Sequence, residues 1–272
     1  MGRAESDVIE DGDRTRIYTG NRIRCVLAGE VVGGIVMILI FDYFETLLNT
    51  KSMDFNRGLY VFWKNHYQDK CPFEDMKKYG EDLFQVLLEK HRSGEEYPFV
   101  KVELPLFAKK FGGEKVDMSA EEEADFLMRC NEFELDPEIE RFLQTCSRKN
   151  IPMYLLSNSG FRAEALMEVL NRFGIGNYFH HLWSSADFGK IKPSREFFEL
   201  AIETALQENP NEVRENIVFV GDIYETDVVG AYTAGIKSAW INKKNERDES
   251  GWSTYNIVST DRLFEIIDLK NE

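Results

Sequence analysis

The sequence is poor in cysteine, histidine and basic residues, and each shortage excludes a class of protein. Its four cysteines include no CxxC pair, so the sequence indicates neither a disulfide framework nor a zinc knuckle. The four histidines show no ligand spacing, which argues against a histidine-based metal site. Lys and Arg number 33 against 48 Asp and Glu, a net charge of −15. This balance argues against a nucleic-acid partner, because phosphate backbones attract basic side chains.

The sequence also lacks an apolar run long enough to cross a membrane. Residues 31–41 form an uninterrupted run of eleven apolar or glycine residues between Glu30 and Asp42, whereas a spanning helix needs about 20. Thirty residues, most of them polar, precede this run, which is unlike a signal peptide. We therefore expect no membrane partner and a reducing, cytoplasmic location.

Residues 1–36 differ from the rest of the chain, and the pattern predicts that they form an N-terminal extension. They are polar and glycine-bearing, with no helical or strand period in the first twenty. One hypothesis is that they form a disordered tail. Another is that natural translation starts at Met37, since the codons of Gly33 and Gly34 would be G-rich, as a ribosome-binding site is.

From Met37 onward the pattern predicts a core interrupted by a helical insertion. In residues 37–50 and 136–272 short apolar runs alternate with helical periodicity. Such alternation is typical of βαβ units, so we predict an α/β, Rossmann-like parallel sheet with helices on both faces. Residues 51–135 have helical periodicity and almost no strand character, with a capping box at Ser119 and Glu122. They predict an all-helical cap domain of about four helices.

Polar residues follow the ends of three predicted core strands. In chain order they are Asp42, Ser157 with Asn158, Lys192, and Asp222 with Asp227. Lys192 lies between the second and third of these strands, in a segment that begins a helix. Each residue taken alone is most simply a loop, cap or surface residue. Together they indicate a ligand site, because the carboxyl ends of parallel strands meet at one edge of a sheet.

This series resembles the four motifs of the haloacid dehalogenase superfamily, most of whose members are Mg²⁺-dependent phosphatases. The similarity runs from about Met37 to about Asn242, and the helical insertion resembles the cap that many members carry. The resemblance implies a small phosphorylated substrate and Mg²⁺ as cofactor. It assigns Asp42 as the nucleophile and Lys192 as the charged catalytic residue. The substrate contacts that it implies are Thr46, Ser157, Asn158 and Lys192. The metal ligands that it implies are Asp42, Phe44 through its carbonyl, Asp222 and Asp227.

The residue types support these roles on chemical grounds. A carboxylate that attacks phosphorus forms an acyl phosphate and divides one difficult displacement into two easier ones. Two anions approach each other only when positive charge lies between them, which Mg²⁺ on carboxylate oxygens and the Lys192 ammonium would supply. Hydroxyl and amide donors at a helix N-terminus add a preorganised site for an anion.

The chain departs from the family pattern at Phe44, where phosphatases have a second aspartate that acts as general acid and base. Phenylalanine transfers no proton, and loss of a general acid costs about 10²–10⁴-fold in rate. Glu45 is either a substitute acid or a solvent-facing or hinge residue.

Three hypotheses about function therefore stay open. We favour a phosphatase or phosphotransferase over a non-catalytic protein that binds a phosphate ligand. The third hypothesis is a 2-haloacid dehalogenase, because members with that activity also lack the second aspartate. Those members use no Mg²⁺, however, and the chain keeps both acids of GDxxxxD, Asp222 and Asp227. The sequence indicates neither the substrate nor an oligomeric state.

Overall fold

The computed structural model describes residues 37–268 and, before them, the segments 8–11, 14–19 and 22–27. The chain divides into two units, Met1–Ile35 and Val36–Glu272. The first unit contains an antiparallel meander of β1 (Val8–Asp11), β2 (Arg14–Thr19) and β3 (Arg22–Leu27).

The strands β1 and β2 correct the prediction that the first twenty residues have no strand pattern. They are rich in charged residues and threonine, so apolar alternation is weak, and their pairing with each other is not visible in either segment alone. Apart from β1, β2 and β3, the residues of 1–36 lie outside the described residues, and the hypotheses of a disordered tail and of a start at Met37 also depend on them.

The second unit alternates strands and helices along the chain. Its strands are β4 (Ile38–Phe41), β5 (Leu48–Met53), β6 (Asn131–Leu135), β7 (Met153–Ser157), β8 (Leu182–Ser184), β9 (Ile217–Gly221), β10 (Lys237–Ile241) and β11 (Tyr255–Ile257). Its α-helices are α1 (Phe55–His66), α2 (Phe73–Arg92), α3 (Leu104–Phe111), α4 (Ala120–Cys130), α5 (Pro137–Arg148), α6 (Ala163–Arg172), α7 (Ser185–Phe188), α8 (Arg195–Glu208), α9 (Val229–Thr233) and α10 (Phe264–Asp268). None of the helices described is both long enough and apolar enough to span a bilayer.

Six of these strands form a parallel sheet in the order β11-β10-β9-β4-β7-β8. From the central strand β4 the chain continues to β7 and β8 on one side, then returns to β9, β10 and β11 on the other. The carboxyl ends of β4, β7 and β9 therefore meet where the strand order reverses, which is the usual position of a ligand site. The predicted α/β, Rossmann-like fold is confirmed.

The strand β4 shows why this edge of the sheet is rigid. Its four side chains are fully buried and alternate between the two faces of the sheet, Leu39 and Phe41 on one and Ile38 and Ile40 on the other. Burial of each such side chain stabilises the fold by roughly 1.5–3 kcal/mol. A residue that directly follows β4 is consequently held by a well-packed strand.

The helices α1 to α4 lie between β5 and β6 in the chain, in agreement with the predicted four helices. They have an apolar cluster of their own, which includes Leu59, Phe62, Met76, Phe107 and Phe126. The predicted capping box is present at the start of α4, where Ser119 and Glu122 each accept a hydrogen bond from the other's backbone N–H. That this insertion acts as a cap domain stays a prediction.

The prediction of almost no strand character in the insertion is wrong at its two ends. The strands β5 and β6 pair as an antiparallel ribbon, in which Leu48 lies opposite Leu135. Lys51 and Glu134 form an exposed ion pair across it, with 2.7 Å between Nζ and Oε1. Most residues of this ribbon are polar, and its two strands are far apart in sequence. Their pairing is therefore a tertiary contact that no local pattern predicts.

Candidate active site

The candidate nucleophile Asp42 directly follows the buried strand β4 and is itself only 7% exposed. Its backbone N–H donates to the carbonyl of Val220 in β9, at an N–O distance of 2.8 Å. The side chain of Asp42 is thus placed at the point where the carboxyl ends of β4 and β9 meet, as predicted from the sequence.

The ammonium of Lys192 lies between two carboxylates at this position. Its Nζ is 2.6 Å from Oδ1 of Asp42 and 2.8 Å from Oδ1 of Asp227, and the side chain is 2% exposed. Burial lowers the pKa of Lys192, but the two neighbouring carboxylates outweigh burial and raise its pKa overall. Lys192 therefore remains a cation inside the protein at neutral pH.

The acid pair Asp222 and Asp227 is brought to the same site by the turn after β9. The Oδ2 of Asp227 accepts a hydrogen bond from the N–H of Ile223 at 3.0 Å, and its Oδ1 accepts one from the Thr226 hydroxyl at 3.1 Å. The indole of Trp240 in β10 donates to the backbone carbonyl of Asp222 at 3.0 Å. These contacts of Thr226 and Trp240 were not predicted, since neither residue type signals such a role.

Gly221, at the end of β9, leaves room for the carboxylate of Asp227. A Cβ atom at this position would lie 2.3 Å from Oδ2 and 2.5 Å from Cγ of Asp227. We expect Gly221→Ala to lower the free energy of unfolding by about 1–3 kcal/mol, the usual cost of overpacking. Urea denaturation would measure the change.

The matched control is Gly80→Ala in α2, where the nearest atom would be the end of the Leu59 side chain at 3.2 Å. Because alanine favours helix by up to about 1 kcal/mol over glycine, this variant should be no less stable than the wild type. Equal stability of the two variants would contradict the steric explanation.

The site carries more negative than positive charge. One carboxylate oxygen from each of Asp42, Asp222 and Asp227 lies within 4.8 Å of the other two, and Lys192 contributes the positive charge between them. Burial, and after it the charges of Asp42 and Asp227, raises the pKa of Asp222 to about 7. Burial also raises the pKa of Asp42, against the opposing effect of Lys192. With all three carboxylates ionised the cluster has a net charge of −2, which one divalent cation would neutralise.

The donor set fits Mg²⁺, a hard cation that prefers oxygen ligands and is usually held by one or two carboxylates. Oδ1 of Asp222 is buried and, among the described residues, has no hydrogen-bond partner. An unpartnered buried carboxylate oxygen is costly, and a bound cation would remove that cost. Asp42 and Asp222 are therefore suited to hold the ion. Both side-chain oxygens of Asp227 already accept hydrogen bonds, Oδ1 from Lys192 and Thr226 and Oδ2 from the N–H of Ile223.

Two buried hydroxyls near Asp42 are available to a ligand. The Oγ of Ser157 at the end of β7 and the Oγ1 of Thr46 have no hydrogen-bond partner in the part of the chain that the structure describes. Ser157 is fully buried and Thr46 is 3% exposed. Both residues were predicted as substrate contacts, and both keep a free donor that an anion's oxygen would satisfy.

Asn158 was also predicted as a substrate contact, but its side-chain amide has another partner. Its Oδ1 accepts from the backbone N–H of Lys192 at 2.7 Å, and its Nδ2 donates to the backbone carbonyl of Lys192 at 3.1 Å. This pair of bonds ties the segment after β7 to the segment that carries Lys192. The geometry therefore favours a role for the Asn158 side chain in placing the lysine.

Phe44 is the residue at which the sequence resemblance leads us to expect the second aspartate of the phosphatases. Its ring is half-buried and packs against Tyr43 and Phe133, with 4.6 Å and 6.0 Å between ring centres. The side chain thus joins the strand β6 to the segment after β4. The role of the Phe44 carbonyl as a metal ligand stays a prediction.

Glu45 is exposed, and its backbone has a φ of +57°, in the left-handed region that favours glycine. Its Oε1 accepts a hydrogen bond from the backbone N–H of Thr50 at 2.8 Å. This contact closes the turn between Asp42 and β5. In this conformation Glu45 supports the turn, which weakens the hypothesis that it substitutes for the missing acid.

Comparison with known proteins gives a family match over most of the chain. The model of the haloacid dehalogenase-like hydrolase family matches residues 36–235. The chain is 32% identical over 122 residues to the pyrimidine 5'-nucleotidase YjjG of Escherichia coli K12, a match that spans 44% of this chain and 51% of that protein.

Two further proteins match over a greater length at lower identity. The 5-amino-6-(5-phospho-D-ribitylamino)uracil phosphatase YigB of Escherichia coli K12 is 22% identical over 217 residues, 78% of this chain and 86% of that protein. The crystal structure of a HAD phosphatase from Thermococcus onnurineus superposes with a TM-score of 0.57 at 18% identity, covering 85% of this chain and 98% of the other. At that identity the structural likeness shows the fold.

Proposed function

We propose, from the premise that this chain belongs to the haloacid dehalogenase-like hydrolase family, that it is a Mg²⁺-dependent phosphatase of a small phosphorylated metabolite. The reaction would proceed through an aspartyl-phosphate on Asp42. Relatives named as a pyrimidine 5'-nucleotidase and as a phosphatase of a ribitylaminouracil phosphate are consistent with a phosphate monoester of small size.

One observation carries this proposal, namely that the polar atoms left without partners at the site are of two complementary kinds. Among the residues described, the buried hydroxyls of Thr46 and Ser157 and the buried Oδ1 of Asp222 lack hydrogen bonds. Hydroxyl donors suit the oxygens of a phosphate, and a carboxylate oxygen suits a metal cation. Asp222 lies beside Asp42, Ser157 ends the strand β7 that pairs with β4, and Thr46 follows Asp42 by four residues. The carboxylate of Asp42 is held by Lys192.

In the first step the Asp42 carboxylate would attack phosphorus as the bond from phosphorus to the ester oxygen breaks. The leaving oxygen departs with the bonding electrons, and Asp42 is left phosphorylated. Lys192 holds one oxygen of Asp42 and keeps positive charge beside the incoming phosphate. Ser157 and Thr46 would donate hydrogen bonds to the phosphoryl oxygens, where negative charge concentrates.

The chemistry that Mg²⁺ supplies when bound by Asp42 and Asp222 is neutralisation of the negative charge between phosphate and carboxylate. In the second step a water would attack the phosphorus of phospho-Asp42, releasing inorganic phosphate and regenerating the carboxylate. A base at the position of Phe44 would normally take the proton of this water and, in the first step, give one to the leaving group. Phe44 provides neither, so turnover should be slow and depend on the leaving group.

A panel of phosphate monoesters, assayed with Mg²⁺ and with EDTA, would test this function. The blank is Asp42→Asn, which keeps the side-chain size but removes the nucleophile. Release of phosphate by the wild type in Mg²⁺, and by neither the blank nor the EDTA sample, is the expected result. Phosphate release in EDTA would reject the Mg²⁺ assignment, and release of halide from a 2-haloacid would establish the dehalogenase hypothesis instead.

The metal assignment makes a separate prediction for Asp222→Asn. Because the substitution removes a charged ligand, we expect Mg²⁺ affinity to fall by at least about tenfold, a loss that even outer-shell changes produce. Isothermal titration with Mg²⁺ would measure it, and phosphatase activity should be lost as well. The control is Asp69→Asn, an equal charge change at an exposed site between α1 and α2. It should leave Mg²⁺ affinity and phosphatase activity unchanged. Equal affinities of the two variants would contradict the assignment.

A further inference from the structure

The segment between α2 and α3 contacts the core beside the loop that follows β7. The backbone N–H of Phe99 donates to the carbonyl of Gly160 at 2.8 Å, and that of Glu96 donates to the carbonyl of Gly189 at 3.3 Å. Glu96 is 7% exposed. The helical insertion thus places an acidic side chain inside the protein, next to the loop that carries Ser157.

The carboxylate of Glu96 begins a chain of hydrogen bonds into that loop. The Ser185 hydroxyl lies 2.5 Å from Oε2 of Glu96, and the Oγ of Ser185 accepts a hydrogen bond from the backbone N–H of Ser159 at 2.8 Å. Ser185 has one hydroxyl proton and two possible acceptors, the Glu96 carboxylate and the backbone carbonyl of Ser159 at 3.2 Å. The proton goes to the carboxylate, because that contact is the shorter of the two and involves an ion. The direction is therefore from the Ser159 N–H to Ser185 and from Ser185 to Glu96.

Glu96 is held as an ion by further donors. His91 Nε2 and the backbone N–H of Tyr97 each lie 2.8 Å from its Oε1. Burial raises the pKa of Glu96, but the hydrogen bonds from His91, Ser185 and Tyr97 outweigh burial and bring the pKa below its ordinary value. A charged acceptor at the end of a buried chain strengthens each bond along it.

Two predicted substrate-binding residues, Ser157 and Asn158, adjoin Ser159, whose N–H this chain of hydrogen bonds fixes. Ser157, with its unpartnered hydroxyl, is two residues before Ser159. Asn158 lies between them and makes both side-chain bonds to the backbone of Lys192. The position of Ser159 therefore affects the phosphate-binding hydroxyl on one side and the placement of the lysine on the other.

We propose that Glu96 is a positioning residue for phosphate binding, acting from the helical insertion through Ser185 on the loop 157–159. This inference rests on the proposed function for the identity of the ligand, and it assigns the insertion a part in forming the phosphate site. Loss of the contact, by substitution or by movement of the insertion, would leave Ser157 and Lys192 less well placed.

The first test measures binding of inorganic phosphate to the full chain in Mg²⁺ by isothermal titration. Glu96→Gln keeps the side-chain size but loses the charge, and Ser185→Ala removes the middle link. Each should weaken phosphate binding by about tenfold, the order expected for one charge-assisted hydrogen bond. Glu95→Gln is the matched control, because Glu95 is the exposed neighbour that pairs with Lys90 at the surface. It should bind phosphate as the wild type does.

Double variants separate positioning from a general loss of structure. Glu96→Gln combined with Ser185→Ala should bind phosphate no more weakly than the weaker single variant, because both break the same chain of hydrogen bonds. In a Ser157→Ala background, Glu96→Gln should lower phosphate affinity by less than about tenfold, since the part of its effect that passes through Ser157 is already lost. A full tenfold effect in that background, or wild-type affinity in both single variants, would overturn the proposal.

Hydrogen exchange tests the loop independently of phosphate. In the ligand-free protein the amides of residues 157–162 should exchange faster in Glu96→Gln than in the wild type or Glu95→Gln. If the wild type binds no phosphate, the proposed function is rejected. The exchange data alone would then decide whether Glu96 positions the loop 157–159. Faster exchange confined to this loop supports it, and unchanged exchange overturns it.

Discussion

Replacing Lys192 by methionine should lower the free energy of unfolding by about 3–5 kcal/mol, the usual cost of removing one partner from a buried ion pair. The same substitution should abolish the turnover of phosphate esters. Lys192 is fully enclosed and touches the carboxylates of both Asp42 and Asp227. Without its ammonium, two buried negative charges face each other with no cation between them. Urea denaturation in EDTA would measure the loss without a contribution from bound metal.

The loss of stability should be larger at pH 8 than at pH 5. Burial already raises the pKa of Asp42 in the wild type, and loss of the lysine raises it further above the unfolded value of about 3.9. A carboxyl group with a raised folded-state pKa stabilises the fold below its unfolded pKa, and this contribution is lost as pH rises through the folded pKa. In the wild type this loss ends near the folded-state pKa of Asp42, about 6. The deficit of Lys192→Met relative to the wild type therefore grows from about pH 6 up to the higher pKa of Asp42 in the variant.

The control for this prediction is Lys190→Met, two residues away and exposed. Surface charges contribute little, so its stability should stay within about 0.5 kcal/mol of the wild type at both pH values. If Lys192→Met were as stable as Lys190→Met at pH 8, the two carboxylates would not depend on the lysine for their charge.

The convergence of Asp42, Asp222 and Asp227 could be predicted because their signals are local in the sequence. A fully apolar strand followed at once by an acid, as in β4 and Asp42, indicates both a buried strand and its polar end. The same holds for β9 and Asp222. Since parallel strands present their carboxyl ends together, these local signals were enough to predict that the acids converge.

The contacts of Asn158 and Glu96 could not be predicted in this way. The side chain of Asn158 is equally suited to bind a substrate or to bind the backbone of another segment. The sequence does not show that the backbone of Lys192 will satisfy it. Glu96 and Ser185 are 89 residues apart and lie in segments with no distinctive motif. Their contact exists only because the insertion folds back on the core, and the same is true of the β5–β6 ribbon.

Phe44→Asp should raise the turnover of alkyl phosphates, by up to the roughly 10²–10⁴-fold that acid and base catalysis supplies. An alkyl ester leaves as a poor alkoxide unless it is protonated, whereas p-nitrophenolate leaves without a proton. The wild type should therefore cleave p-nitrophenyl phosphate measurably and alkyl phosphates much more slowly. The variant should narrow that difference, which steady-state kinetics on both substrates would measure.

A control variant and a stability measurement separate proton transfer from the loss of an aromatic side chain. Phe44→Asn has nearly the size of the aspartate variant but no carboxyl group, so it should not speed the cleavage of alkyl phosphates. Both variants lose the contacts of the Phe44 ring with Tyr43 and Phe133, and their unfolding free energies should fall together. A rate gain confined to Phe44→Asp would then be attributable to its carboxyl group.

The wild type itself supplies the result that would contradict this account of the site. If it cleaves alkyl phosphates well and Glu45→Gln destroys that activity, then Glu45 is the acid and must leave its bond to Thr50 during turnover. If neither the wild type nor a stably folded Phe44→Asp cleaves any phosphate ester, catalysis is excluded and the phosphate-binding hypothesis takes its place. In that case the hydroxyls of Thr46 and Ser157, which have no partner among the residues described, would hold a ligand that the protein does not convert.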